Sequence, residues 1–101
     1  MRPVVWTDAA RTDYLAILHY IAQDDPGAAE KVVDTIERTA DGLGEVVSGR
    51  PGRIAGTYEK SVPRLRYVIA YALHEQAGRE SVIILRVIHT ARDWRSRQWP
   101  R

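Results

Sequence analysis

Three side chains in the second half of the sequence have the types that metal-free RNA cleavage requires. His89 ends an apolar segment, and Arg64 and Arg66 lie at the start of an earlier alternating segment. Cleavage through the ribose 2′-hydroxyl needs a general base, a general acid and cations beside the phosphate, which histidine and arginine can supply. His89 is equally suited to a structural role at a strand end, where its ring bonds to the backbone. The residues alone leave both interpretations open.

Other chemistries lack their characteristic residues. The chain has no cysteine, which excludes disulfides, thiolate metal sites and thiol nucleophiles. His19, His74 and His89 fall on different predicted elements without the HxxxH spacing of a metal site, so we expect no metal ion. The glycines match neither the GxGxxG nor the P-loop pattern. We therefore expect no cofactor.

The charge is divided unevenly along the chain. Residues 1–45 hold four Arg/Lys and nine Asp/Glu, a net charge of −5, whereas residues 46–101 hold eleven and four, a net charge of +7. Thirteen of the fifteen cations are arginines, whose guanidinium group suits bidentate contacts to carboxylate or phosphate. The second half therefore indicates a basic surface with an anionic partner.

The size of the chain predicts one domain over residues 1–101, with room for one modest core. The first residues lack the apolar stretch of a signal peptide, and no segment approaches the roughly 20 apolar residues of a membrane span. We expect a cytoplasmic protein that does not contact a membrane.

Two amphipathic helices are predicted in the first half. Thr7 caps the first, because its hydroxyl can accept a hydrogen bond from the next turn. Asp25 and Pro26 start the second, because proline suits the first helical turn. So short a connection makes the helices antiparallel. Their apolar stripes are Ala10, Tyr14, Ile17, Leu18 and Ile21, and then Ala29, Val32, Val33, Ile36, Ala40 and Leu43.

The remaining segments predict strands. Leu65–Leu73 alternates with period two, so that Arg64 and Arg66 begin a basic face, and Val82–Ile88 is apolar apart from Arg86. Shorter strands are predicted near Pro3–Trp6 and Thr57–Val62, and a turn-rich connection at Ser48–Gly56. Ala91–Trp99 is predicted to be a short basic tail, for which a helix is one option. The predicted fold is α+β, in the order β-α-α-β-β-β, with a helical hairpin on one face of a small, mostly antiparallel sheet. We expect a partner to dock on the other face.

Four motifs follow one another in the second half. They are Gly-Arg-Pro-Gly-Arg at 49–53, Gly-Thr-Tyr-Glu at 56–59, Arg-Tyr-Val-Ile-Ala-Tyr at 66–71, and Ile-Leu-Arg-Val-Ile-His-Thr-Ala-Arg-Asp-Trp at 84–94. Their order and spacing resemble the ParE branch of the ParE/RelE toxins of bacterial type II toxin–antitoxin modules. The resemblance extends from the helix start at Thr7 to Trp94.

The same comparison bears on RNA cleavage. RelE-like ribosome-dependent nucleases carry an arginine three residues before the tyrosine that closes the third strand, and a tyrosine near the C-terminus. Val68 occupies that arginine position when Tyr71 is the anchor, and no tyrosine follows Tyr71. The resemblance therefore implies no catalytic residue, and His89, Arg64 and Arg66 serve only if the nuclease alternative holds.

The ParE resemblance implies a protein that binds DNA gyrase and stabilises its cleaved complex with DNA. Tryptophan and arginine dominate binding hot spots, and arginine also contacts phosphate. Two structural alternatives stay open, in which Trp94 closes the bottom of the sheet and residues 95–101 form a solvated tail. The implied target-binding residues are Arg92, Trp94, Arg95, Arg97 and Trp99.

The resemblance also implies a ParD-like antitoxin in a toxin–antitoxin hetero-oligomer. This antitoxin should carry a segment with both acidic residues and apolar anchors. We expect that segment to bind at Arg64, Arg66, Tyr14 and Leu18. Two other functions remain open from sequence, namely a RelE-like mRNA interferase and a binding module that has lost toxicity but keeps its antitoxin.

Overall fold

A computed structural model describes residues 1–91, which form two helices and a five-stranded sheet. The helices are α1 (Asp8–Ala22) and α2 (Pro26–Glu45). The strands are β1 (Val4–Trp6), β2 (Arg50–Pro51), β3 (Tyr58–Ser61), β4 (Tyr67–Gln76) and β5 (Arg79–His89). The sheet order is β1-β5-β4-β3-β2. Strand β1 is parallel to β5 and the other pairs are antiparallel, so the predicted α+β fold is confirmed.

Both predicted helix caps are present. The Thr7 hydroxyl oxygen accepts a hydrogen bond from the amide of Ala10 at 3.1 Å, and the Asp25 carboxylate accepts one from Ala28 at 3.0 Å. The Thr7 hydroxyl also donates to the carbonyl oxygen of Ile84 in β5 at 2.9 Å. The Thr7 side chain, directly after β1, therefore both caps α1 and attaches the start of the helix to β5.

The main core lies between the helices and one face of the sheet. It contains residues of both predicted helical stripes and one face of each long strand. The buried members include Ile17, Val33, Ile36, Ala40 and Leu43 from the helices, and Tyr67, Ile69, Tyr71, Val82, Ile84 and Val87 from the sheet.

The face of the sheet away from the helices is not an open surface at its centre. Ala70 and Ile88 form a second small buried cluster there, and Val68, which pairs with Ile88, is also buried. Apolar side chains thus occupy both faces of the two long strands, and at these positions the face expected to receive a partner is buried.

The strands differ from prediction at their ends. The turn-rich connection contains the two-residue strand β2, because its backbone pairs with Tyr58 and Glu59 of β3. The hairpin between β4 and β5 is tight, since Ala77 and Gly78 alone connect the strands. Both have positive φ, +54° and +76°, as a type I′ turn requires.

Gly44, in the last turn of α2, is packed against β1. A Cβ atom at this position would lie 2.6 Å from the carbonyl oxygen of Arg2 and 3.1 Å from a methyl group of Val4. The amide of Arg2 also donates to the carbonyl oxygen of Gly44 at 2.8 Å. The helix and strand therefore approach each other too closely for any side chain.

We expect Gly44→Ala to lower the free energy of unfolding by about 1–3 kcal/mol, because backbone atoms must move to admit the methyl group. Gly42→Ala is the matched control in the same helix, since its Cβ would meet nothing within 4 Å. Alanine is the better helix former, so the control should stabilise by up to about 1 kcal/mol. Urea denaturation measures both, and equal effects would contradict the close packing.

Candidate binding surfaces

Among the described strands, none lies beside the edge of β5 beyond Ile84 on the β1 side, because β1 pairs only with Val82–Ile84. Helix α1 fills this position with Asp13. The Asp13 carboxylate accepts hydrogen bonds from the backbone amide of Val87 at 2.9 Å and from Nε and Nη2 of Arg86 at 2.7 and 2.8 Å. The carboxylate thus replaces the acceptor that a longer β1 would provide, and the guanidinium neutralises it.

A β-bulge explains how an arginine fits into this apolar strand. Ala70 pairs with Arg86 but Tyr71 pairs with Ile84, which leaves Leu85 as the extra residue. The extra residue shifts the alternation, so Val87 rather than Arg86 points into the main core. Sequence reasoning missed Asp13, although a lone arginine in a central strand signals that a carboxylate must lie nearby.

Glu59 is the one charged residue that is buried within residues 1–91, with 5% of its surface exposed. Its carboxylate accepts from the backbone amide of Arg53 at 3.1 Å and forms an ion pair with Arg50 at 3.1 Å. Arg50 also donates to the Ser61 hydroxyl. Glu59, from the Gly-Thr-Tyr-Glu motif, therefore fixes the preceding loop, a role that sequence reasoning did not assign.

His89 lies at the end of β5, with its ring edge-on to Tyr67 at a centroid distance of 5.2 Å. Its Nδ1 accepts a hydrogen bond from the backbone amide of Ala91 at 3.2 Å. The next residue, Thr90, donates its amide to the carbonyl oxygen of Arg66 at 2.9 Å. The bond to Ala91 is the backbone contact that a structural role for His89 requires, and the Thr90 bond brings Arg66 close to the end of β5.

Arg64 and Arg66 lie in the turn before β4, not on the strand as predicted. Arg64 has a positive φ of +64°, and Leu65 donates its amide to the carbonyl oxygen of Val62. This turn delays the strand until Tyr67. Arg64 faces α2, where it lines a depression together with Lys31 and Val32.

Tyr14 lines a separate cavity of about 280 Å³ between β1, α1 and α2. Its ring contacts Trp6 edge-on, with centroids 5.6 Å apart. Burial, and then the carboxylates of Glu37 and Asp34, raise the pKa of the Tyr14 phenol. Leu18 is partly buried against the main core. Tyr14 and Arg64 therefore lie on opposite flanks of α2, and the structure does not join them in one compact patch.

Tyr71 is fully buried and connects the sheet to the end of α2. Its ring stacks on Tyr58 with centroids 5.5 Å apart, and its hydroxyl donates to the carbonyl oxygen of Ser48 at 2.5 Å. Burial, and then Tyr58, raise the pKa of the Tyr71 phenol. Tyr71, which is the anchor of the comparison with RelE-like nucleases, therefore has a packing role in β4.

The proposed target-binding residues all lie outside the described residues, as does most of the predicted tail. They are Arg92, Trp94, Arg95, Arg97 and Trp99. Within residues 1–91, no group of three or more His, Asp or Glu side chains is arranged to hold a metal ion. No helix in that part of the chain is long and apolar enough to cross a membrane.

Comparison with known proteins gives matches over nearly the whole chain. The family model for the ParE toxin of the type II toxin–antitoxin system, parDE, matches residues 4–94. The putative toxin Y4kP of Sinorhizobium fredii is 39% identical over 90 residues, 88% of each chain. Toxin RelE2 of Caulobacter vibrioides is 37% identical over 93 residues, which are 91% of this chain and 99% of that protein.

Solved structures share the fold. A chain of the chromosomal ParDE TA system from P. aeruginosa superposes with a TM-score of 0.77 at 26% identity, covering 88% of this chain and 96% of that one. The YoeB/ParE toxin from Agrobacterium tumefaciens gives a TM-score of 0.58 at 14% identity, over 86% of this chain and 97% of that one. The second likeness concerns the fold alone.

We expect Asp13→Ala to lower the free energy of unfolding by about 3 kcal/mol, because it removes the carboxylate that pairs with a mostly buried guanidinium and accepts a hydrogen bond from a strand amide. The side chains of Asp13 and Arg86 are only 14% and 24% exposed. Glu80→Ala is the control, since it breaks the more exposed Arg2–Glu80 pair and should cost less than about 1 kcal/mol. Chemical denaturation measures both, and similar losses would contradict this role of Asp13.

Tyr71→Phe should cost about 1 kcal/mol at neutral pH through the lost hydrogen bond to Ser48. Because the folded-state pKa of Tyr71 is raised, the unfolded chain ionises first, near its ordinary value of about 10. The contribution of Tyr71 is therefore complete below about pH 10 and declines as the pH rises further. Chemical denaturation at several pH values between 8 and 11.5 measures the free energy of unfolding of both proteins. The difference between wild type and Tyr71→Phe should become smaller as the pH rises, and a constant difference would contradict this linkage.

Proposed function

Since the chain belongs to the ParE toxin family of type II toxin–antitoxin systems, we propose that it arrests growth by binding DNA gyrase and stabilising the gyrase–DNA cleavage complex. The observation that carries this proposal is the family match across residues 4–94, which includes all the described helices and strands. The family match and the ParDE superposition support a toxin that acts by binding its target, with the helices and the sheet as a rigid scaffold.

The geometry at two positions supports binding rather than catalysis. Val68 occupies the place of the RelE-like arginine and is 2% exposed, so no cation is available there. Tyr71, after which no tyrosine follows, has its hydroxyl bonded to the backbone of Ser48. Two parts of a RelE-like cleavage site thus have no counterpart in this chain.

The second candidate function is ribosome-dependent mRNA cleavage of the RelE type, which the 37% identity to Toxin RelE2 favours. It would use His89 as the acid or base and Arg66, whose backbone bonds to Thr90, as the neighbouring cation. Arg64 would contribute less, because it faces α2 from the turn before β4.

We further propose that a ParD-like antitoxin neutralises this toxin by covering the surface that the target needs. The superposition with a chain of the ParDE TA system from P. aeruginosa supports a partner of this kind. A toxin that acts on gyrase works in the cytoplasm, which agrees with the location expected from the sequence.

Purified protein should inhibit gyrase supercoiling and accumulate gyrase-cleaved DNA, and should leave a defined message intact on translating ribosomes. His89→Gln separates the two candidates, since it should not change gyrase inhibition but would abolish cleavage by a RelE-like site. The double variant Arg95→Ala, Arg97→Ala should weaken gyrase inhibition if the tail contacts the target. Codon-dependent cuts that require His89, with no effect on gyrase, would replace the first candidate by the second.

A further inference from the structure

Helix α2 separates two surfaces of opposite charge. Its acidic residues recur at i, i+4, i+7, i+11 and i+15, so they share one flank of the helix. Glu37 on this flank lines the Tyr14 cavity beside α1. The acidic residues are Glu30, Asp34, Glu37, Asp41 and Glu45.

The opposite flank of α2 forms a groove with the turn between β3 and β4. Two adjoining depressions of about 400 and 250 Å³ share Pro63 and make up this α2 groove. Its cations are Lys31, Arg38, Lys60 and Arg64, and no Asp or Glu among residues 1–91 lines it. Within the described part of the chain none of the four forms an ion pair, whereas Arg2, Arg50 and Arg86 do.

The floor of the α2 groove is aliphatic. Val32 and Leu65 lie at one end, and Leu43 and Val46 at the other. Val46 is 68% exposed, which is a high fraction for a valine beside a core. The distance along α2 from Val32 to Val46 is about 21 Å at 1.5 Å per residue, the length of a helix of about 14 residues.

The cations and the aliphatic floor together indicate what kind of partner binds in the α2 groove. A nucleic acid backbone would use the cations but gain little from aliphatic side chains, whereas an acidic amphipathic helix matches the charge and the floor. We infer that the α2 groove binds an acidic amphipathic helix of the antitoxin, with aliphatic residues over Val32 and Val46 and carboxylates toward Arg38 and Arg64. This inference rests on the proposed function, because the partner is the antitoxin.

The charges on the two flanks of α2 favour the side of the toxin that carries the α2 groove. The Tyr14 cavity on the other flank carries Glu37 at its rim, next to Asp34, and these carboxylates would repel an acidic segment. Of the antitoxin contacts expected from sequence, Arg64 belongs to the α2 groove and Tyr14 does not.

The test titrates the toxin with a ParD-like protein from the same genome by isothermal calorimetry at two salt concentrations. Arg38→Glu and Lys31→Glu reverse groove charges, and Arg11→Glu is the matched control on α1, an exposed helical cation that lines the Tyr14 cavity. We expect the groove variants to raise Kd at least about tenfold and to reduce its salt dependence, and the control to change Kd less than about twofold. Val46→Ala should raise Kd several-fold with an unchanged melting temperature.

Other results overturn the inference in distinguishable ways. Equal losses from Arg11→Glu and Arg38→Glu would show that only net charge matters, and a larger loss from Arg11→Glu would place the antitoxin on the Tyr14 side. Tight binding of duplex DNA that Arg38→Glu abolishes, with antitoxin binding unchanged, would assign the groove to nucleic acid. Failure of wild-type toxin to bind the antitoxin would overturn the proposed partner as well. Circular dichroism of each variant separates lost binding from lost folding.

Discussion

The carboxylate of Asp13 joins the helical layer to the sheet at the edge of β5 that β1 leaves unpaired. Asp13 satisfies the amide of Val87, which β1 is too short to reach, and at the same time neutralises Arg86. The bulge at Leu85 makes this arrangement compatible with a packed core, because it returns Val87 to the helical side. Helix position, strand register and core composition therefore depend on one another at this point.

Local signals in the sequence predict most of the fold. The caps at Thr7 and Asp25, the apolar stripes of both helices and the period-two pattern around Tyr71 each act over a few residues, and the structure agrees with them. The bulge and the Asp13–Arg86 pair are different, since the pair joins residues 73 positions apart. The bulge shifts the alternation of side chains along β5, and it can be recognised only when the pairing of β5 with β4 is known.

The candidate surfaces were less predictable for the same reason. Charge segregation along the chain correctly indicates a basic second half, but it does not distinguish cations that act inside the fold from those that remain for a partner. The structure makes this distinction, because Arg50 and Arg86 pair with Glu59 and Asp13, whereas Arg38 and Arg64 line a groove to which the described residues contribute no carboxylate. Arg38 belongs to the acidic first half, so folding rather than sequence position assembles that basic surface.

The parallel pairing of β1 with β5 has a consequence for biosynthesis. The strand at residues 4–6 has no partner until residues 82–84 have been synthesised. A growing chain can build its helical hairpin early, yet β1 cannot join the sheet until β5, the strand between β1 and β4, has been added. A polypeptide interrupted before β5 would therefore carry the helical hairpin without a complete sheet, so the folded toxin requires synthesis beyond residue 84.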